Sequence, residues 1–396
     1  MKLASRVQQL QPSPTLAITA KAKALKAAGE DVLSLAAGEP DFATPEHIRK
    51  AAVAAMEAGH TGYAPSAGVP ALRDTIRQTY ETEMGLSYAD DQVVVSCGAK
   101  HCLYNAFQAI LDADSQAIIQ APYWVSYPEQ VRLSGAQPLI VEPPEAGMGL
   151  NVDAMRAAIT PKTKVIIINS PCNPTGHVDS SEDLKAIAKL AIDNDLIVVS
   201  DDIYDKLIFD GREFVSIVQL VPQMKDRTVV INGVSKSYAM TGWRLGYALG
   251  PPEIIAAMRK IQDQSTSNAV TFVQHAAIEA LKSPPEVVEK MVAAFEQRRN
   301  RIVELLTNIP GLECRKPAGT FYAFAKFAAV IGRQHNGRKI ESTLQLAEIL
   351  LETERVAVIP GEAFGAQGYL RLSFATSEEA IEEAVSRIKR LIESLT

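Results

Sequence analysis

The chain has 396 residues, with 40 lysines and arginines against 46 aspartates and glutamates, for a formal net charge of −6. That length exceeds one compact core and implies two domains. The acidic balance argues against a general nucleic-acid binder, although one or two local arginines suffice for a small anion.

The first stretch, "MKLASRVQQLQPSPTLAI", holds no apolar run of signal length and meets Pro12 and Pro14 early. Residues 1–45 mix a helix with the loop "LAAGEPDFATPEH". Short runs rich in Ile and Val then alternate with helical patterns: "QVVVSCG", "QAIIQAP", "QPLIVEP", "KVIIINSP", "DLIVVSDD" and "RTVVING". After the first of them, "AKHCLYNAFQAIL" has apolar residues at helical spacing. Runs apolar on both faces and separated by helices predict an α/β chain with a parallel sheet covered on both sides. From about residue 285 a long polar helix, "PEVVEKMVAAFEQRRNRIVELLTNI", leads into mixed strands and helices. The expected organisation is a large domain over 46–285 and a smaller one built from 1–45 and 286–396. No segment approaches the roughly 18 apolar residues that span a bilayer. The four cysteines, Cys97, Cys102, Cys172 and Cys314, form no C-x-x-C pair, which fits a reducing cytoplasm. "CGAKHC" sets a histidine between two cysteines but lacks a second ligand pair at zinc spacing, so no metal is expected.

In parallel sheets ligands collect at the carboxyl ends of the strands, and the loops there carry the chemistry. "SCGAK" (Ser96 to Lys100) joins strand to helix, where free N–H groups favour a phosphate; a plain glycine turn is the alternative. "NSPCNPTG" (Asn169 to Gly176) is a rigid turn that fixes Asn173 between prolines. In "VVSDDIYDKL", Asp201 follows a buried run and Tyr204 shares its face if the turn is helical; Asp201 could equally be an N-cap. Lys236 follows "TVVING", where an enclosed lysine becomes neutral and nucleophilic, whereas most lysines stay solvated. Arg244 lies eight residues on, free for an anion or a carboxylate partner. Arg371 sits in "YLRLSFA", and a buried arginine needs an anion, either a ligand or a salt-bridge partner.

Taken in order, "GEPDFATP", "YAPSAGVPALR", "PYWVSYPE", "NSPCNPTG", "SDDIY" and "SKSYAMTGWRLGY" resemble the class I aminotransferases, fold-type-I pyridoxal-phosphate enzymes, over nearly the whole chain. The likeness is to the bacterial branch of aspartate aminotransferases. It implies a large domain with a mostly parallel seven-stranded sheet between helices, plus a smaller α+β domain from both termini. It implies pyridoxal 5'-phosphate held by Lys236 as an internal Schiff base, with Lys236 also moving the substrate proton. Asp201 would keep the pyridine nitrogen protonated, Tyr204 and Asn173 would bond the ring oxygen, and Trp124 would stack on the ring. Gly98, Ala99, Lys100, Ser235 and Arg244 would bind the phosphate, with Tyr63 reaching in from the second subunit of a homodimer. Arg371, helped by the Gly38 backbone, would clamp the substrate α-carboxylate.

Three departures qualify the likeness. Many relatives have serine where Gly233 stands. The stretch "IQDQSTSNAVTF" lacks the arginine that another branch uses for the side-chain carboxylate, which leaves that work to Lys100. Gln11 stands where prephenate-active relatives carry a lysine or arginine, so prephenate turnover is not expected. The expected reaction is transamination between L-aspartate and 2-oxoglutarate by ping-pong half-reactions. Alternatives on the same fold are alanine, aromatic or kynurenine aminotransferases, a prephenate side activity, or a β-lyase. A transcription regulator that fuses this fold to a DNA-binding module is disfavoured, because only about thirty residues precede the fold.

Overall fold

The computed structural model describes residues 3–11, 14–144 and 148–396. Seven strands form the main sheet: β1 (Val93–Ser96), β2 (Gln116–Gln120), β3 (Gln137–Val141), β4 (Thr163–Asn169), β5 (Ile197–Asp201), β6 (Thr228–Gly233) and β7 (Gly246–Leu249). Their order across the sheet is β1-β7-β6-β5-β4-β2-β3. All six runs picked out from the sequence are strands pointing the same way. The seventh, β7, is antiparallel to both β1 and β6. Its sequence, "GYAL", is short and opens on glycine, so apolar patterning does not single it out.

Alternation within each run explains why both faces are apolar. Val93, Val95, Ile118, Ile166, Ile168, Val198 and Val230 point into one core. Their neighbours Val94, Ala117, Ile119, Val165, Ile167, Val199 and Val229 point into the core on the other side. Each Val or Ile withdrawn from water contributes on the order of 1.5–3 kcal/mol, which leaves the strands no stable exposed face. Helix Ala99–Ile110 covers the second core with Cys102, Leu103, Ala106 and Phe107.

A third core gathers Met291, Phe295, Phe321, Leu346, Leu370 and Leu391 with Leu35 and Phe209. It surrounds an antiparallel four-stranded sheet in the order Ile359–Pro360, Tyr369–Ser373, Tyr322–Lys326, Glu313–Cys314. The short strand Leu33–Ser34 pairs in parallel with Val356–Ala357, tying the N-terminal segment to the C-terminal one. Among the described residues, no helix is long and apolar enough to cross a membrane, and no group of three or more His, Cys, Asp or Glu could hold a metal ion.

Candidate active site

Strands β1, β2, β4, β5 and β6 end at one edge of the sheet, and a cavity of about 440 Å³ opens there. Ala99, Lys100, Trp124, Asn173, Asp201, Tyr204, Ser235, Lys236 and Arg244 line it from the main sheet. Gly38, Tyr322 and Arg371 complete it from the segments around the third core. Of the residues expected from the sequence, Gly98 and Tyr63 stand apart from this lining. Gly98 sits one step behind, and Tyr63 is 94% exposed on its own chain.

Gly98 shapes the phosphate-loop position. It precedes helix Ala99–Ile110 at φ 91° with no side-chain cap, so the first N–H groups of the helix have no partner within it. A Cβ on Gly98 would stand 2.6 Å from an Arg244 guanidinium nitrogen. Arg244 is held by the carbonyl of Thr241 at 2.9 Å, and no carboxylate pairs with it among the described residues. Strand β7 presses on the same turn, since a Cβ on Gly246 would meet the Ala99 nitrogen at 2.2 Å. Gly233 is its cross-strand neighbour, where a Cβ would meet Gly246 Cα at 2.9 Å, so the serine of other relatives has no room here.

Asp201 ends β5 and is 4% exposed. Its carboxylate accepts from the Tyr127 hydroxyl at 2.6 Å and its backbone carbonyl from the Asn169 amide at 2.8 Å. Burial raises its pKa from 3.8 to about 6, against the lowering effects of Tyr127, the Ile203 N–H and Lys236. Residues 203–206 form a turn rather than the helix that the three-residue spacing suggested, yet Asp201 and Tyr204 still face one cavity. The Tyr204 hydroxyl lies 3.0 Å from that of Tyr322.

The shift at Asp201 has a consequence for stability. Below pH 3.8 the folded and unfolded states both hold the proton and the group contributes nothing. Above about 6 both have lost it, and the folded state bears the full cost of a buried charge. We expect cofactor-free Asp201→Asn to be more stable than wild type at pH 8 by up to about 3 kcal/mol, with the difference vanishing below pH 4. Urea unfolding at both pH values measures this; equal stability at pH 8 would contradict it.

Lys236 lies in the turn after β6 and donates to the Gly38 carbonyl across the cavity. Its pKa is lowered from 10.5 to about 8, first by burial and next by the charge of Arg371; Glu39 opposes the shift, Arg244 adds to it and Asp201 opposes it. The Lys100 amine lies 4.8 Å over the Trp124 ring, with its pKa lowered by burial and by Arg244.

Arg371 is 2% exposed. It donates to Asn173 Oδ1 at 2.9 Å and to the Ala36 carbonyl at 3.2 Å, and its Nε has no partner. No salt bridge involves it among the described residues, which removes the structural ion-pair alternative. Gly38 offers its carbonyl to Lys236, and Ala36 receives the guanidinium.

Sequence reasoning missed Tyr127, Tyr322 and the hydrogen bond at 2.8 Å from Thr241 to Glu39, which links the loop after Lys236 to the Gly38 loop. Tyr127 lies inside "PYWVSYPE", but its partner is 74 residues away. No local signal identifies Tyr322 within "TFYAFA".

A lysine with a lowered pKa, a buried carboxyl group and two arginines without carboxylate partners among the described residues, converging at the carboxyl edge of an α/β sheet, define an enzyme site for anionic amines and carbonyls. A family model for aminotransferase class I and II matches residues 30–388, and the chain belongs to that family. It is 50% identical over 397 residues to a protein named aspartate aminotransferase from Geobacillus stearothermophilus, covering 100% of each chain. Its identity to one of the same name from Bacillus subtilis is also 50%, over 99% of each chain. Among solved structures, an aspartate aminotransferase from Rhizobium meliloti superposes with a TM-score of 0.96 at 40% identity, over 100% of both chains.

Proposed function

We propose that the protein binds pyridoxal 5'-phosphate and transfers the amino group of L-aspartate to 2-oxoglutarate, giving oxaloacetate and L-glutamate. The observation that carries the reading is Arg371, a buried guanidinium without a carboxylate partner among the described residues, facing the same cavity as Lys236. The relatives named above supply the choice of aspartate.

The donor set fits the cofactor. A phosphate needs N–H donors and cations, and the uncapped start of helix Ala99–Ile110, Ser235 and Arg244 provide them. Asp201 would hold a proton on the ring nitrogen, Asn173 and Tyr204 would bond the ring oxygen, Trp124 would cover the ring face, and Lys236 would bind the aldehyde carbon. Bound there, the group supplies an electron sink for the substrate Cα. Arg371 orients the substrate by its α-carboxylate through in-plane N–H donors. Lys236 Nζ, with its lowered pKa, takes the proton from Cα and returns it later. The Gly38 carbonyl, already bonded to Nζ, keeps the amine aimed into the cavity between these events.

The large domain over 46–285 and the small one over 1–45 and 286–396 belong to this reading; the separate third core supports them. So does a homodimer in which Tyr63 reaches the partner's phosphate site. The exposure of Tyr63 and of the apolar Val53, Met56 and Val270 on its own chain supports that reading. Prephenate is left out on the strength of Gln11, whose N–H donates to Glu129 at 3.1 Å; residues 12 and 13 lie outside the described residues.

The test is the visible spectrum of the cofactor-loaded protein. L-Aspartate alone should bleach the yellow band, and 2-oxoglutarate should restore it. A band that ignores aspartate but responds to alanine would keep the cofactor and overturn the donor. Lys100→Ala tests the side-chain carboxylate. Loss of one charge partner there should lower the aspartate-to-alanine ratio of kcat/KM by roughly ten-fold or more, and an unchanged ratio would exclude Lys100 from that role.

A further inference from the structure

Tyr322 touches two members of the site at once. It opens the strand Tyr322–Lys326 and is 1% exposed. The Arg371 guanidinium lies 4.2 Å from the centre of its ring, with the Phe364 ring a further neighbour at 5.0 Å. Its hydroxyl is 3.0 Å from that of Tyr204, and the two rings meet edge to face at 6.1 Å and 78°.

A buried cation needs compensation. A carboxylate would supply it by occupying the in-plane donors that a substrate requires. An aromatic face attracts the guanidinium from above its plane and leaves those donors free. The hydroxyl has a separate consequence. Among the described residues each phenol has the other as its hydrogen-bond partner. The Tyr322 hydroxyl is packed against Gly38, where a Cβ would approach it to 3.5 Å. If Tyr322 donates, the Tyr204 proton is left to point into the cavity.

We propose that Tyr322 is a positioning residue with two separable parts: its ring holds Arg371 flat with its carboxylate-binding donors free, and its hydroxyl directs the proton of Tyr204 into the cavity. The inference rests on the proposed function in that Arg371 receives an α-carboxylate, whatever the side chain, and that Tyr204 bonds the cofactor's ring oxygen.

Two variants and two probes test it. The probes are 2-methyl-L-aspartate and 2-aminoisobutyrate, which have no Cα proton to lose and so bind without turnover. Both are read by the change in visible absorbance of the cofactor-loaded protein. Tyr322→Leu removes ring and hydroxyl and is expected to weaken both probes by about ten-fold or more. Tyr322→Phe keeps the ring and should hold both within about two-fold. It should also raise the pH midpoint of the visible band by roughly half a pH unit, because a donor to Tyr204 strengthens the donation that favours an anionic ring oxygen.

Wild-type affinity for both probes in Tyr322→Leu would overturn the ring's role, and so would equal weakening in Tyr322→Phe. An unmoved midpoint in Tyr322→Phe would overturn the hydroxyl's role. If Tyr322→Leu does not fold, Tyr322→Met, unbranched and larger, takes its place. If wild type binds 2-aminoisobutyrate and not 2-methyl-L-aspartate, the aspartate reading fails, while the Tyr322 comparison proceeds on the first probe alone.

Discussion

Lys236→Ala is expected to lower kcat by about 10⁴-fold or more while leaving the fold intact. The amine combines two functions that other residues in the cavity cannot replace, a nucleophile for a carbonyl carbon and a base for the Cα proton. Arg371 and Arg244 carry cations, Asp201 is committed to Tyr127, and the phenol of Tyr204 is paired with Tyr322. The basis of the reactivity is measurable without cofactor. With its pKa near 8, Nζ is half neutral at that pH, whereas an exposed lysine at 10.5 is almost wholly charged. Acylation of Lys236 by a small amine-reactive reagent, located by peptide mass, should follow a titration centred near pH 8. A centre above 10 would show that the cavity does not activate the amine, and a kcat for Lys236→Ala within ten-fold of wild type would remove it from the chemistry.

Arg371→Ala has the second largest expected effect, a fall in kcat/KM of roughly 10²- to 10³-fold for the amino acid and the 2-oxo acid alike. Truncating one partner of a buried, hydrogen-bonded charge pair costs about 2–5 kcal/mol. Because both substrates carry the same carboxylate beside the reacting carbon, the loss must be common to both. Arg371→Lys should recover only part of it, because a point charge lacks the planar fork. Stability distinguishes this role from that of a structural ion pair. Breaking a buried pair typically costs 3–5 kcal/mol, but Arg371 has no carboxylate partner among the described residues, and burial already lowers its pKa. The urea midpoint of cofactor-free Arg371→Ala should therefore fall far less than pair loss demands. A loss of several kcal/mol, or a kinetic defect confined to one of the two substrates, would count against the assignment.

Much of the site is local in sequence. Apart from Arg244, each main-sheet residue that lines the cavity lies within a few positions of the end of an apolar run: Lys100 after β1, Trp124 after β2, Asn173 after β4, Asp201 at the end of β5, Lys236 after β6. A parallel sheet delivers all such ends to one edge, so identifying the runs is enough to find the residues. Arg371 was legible for a different reason, since an arginine inside an apolar run requires an anion.

The residues missed share one property, that their partners are distant in sequence. Tyr127 and Asp201 are 74 residues apart, Tyr322 and Tyr204 118, Thr241 and Glu39 202. A tyrosine in "TFYAFA" looks the same whether its hydroxyl meets water or another buried phenol. The reversed strand β7 was also hidden, because its place between β1 and β6 follows from the close glycine contacts at 98, 233 and 246 and not from its own pattern.

The sequence alone thus determined six of the seven main-sheet strands, the edge at which they end and the candidate site residues at that edge, because burial periodicity and strand-end position are properties of neighbouring residues. Only the tertiary structure decided which carbonyl meets Lys236 and which meets Arg371, that no carboxylate of the described chain neutralises Arg371, and that Tyr322 lies beneath it. Those depend on how the segments around the third core close over the sheet, and the free energy of that closure is spread over contacts hundreds of residues apart.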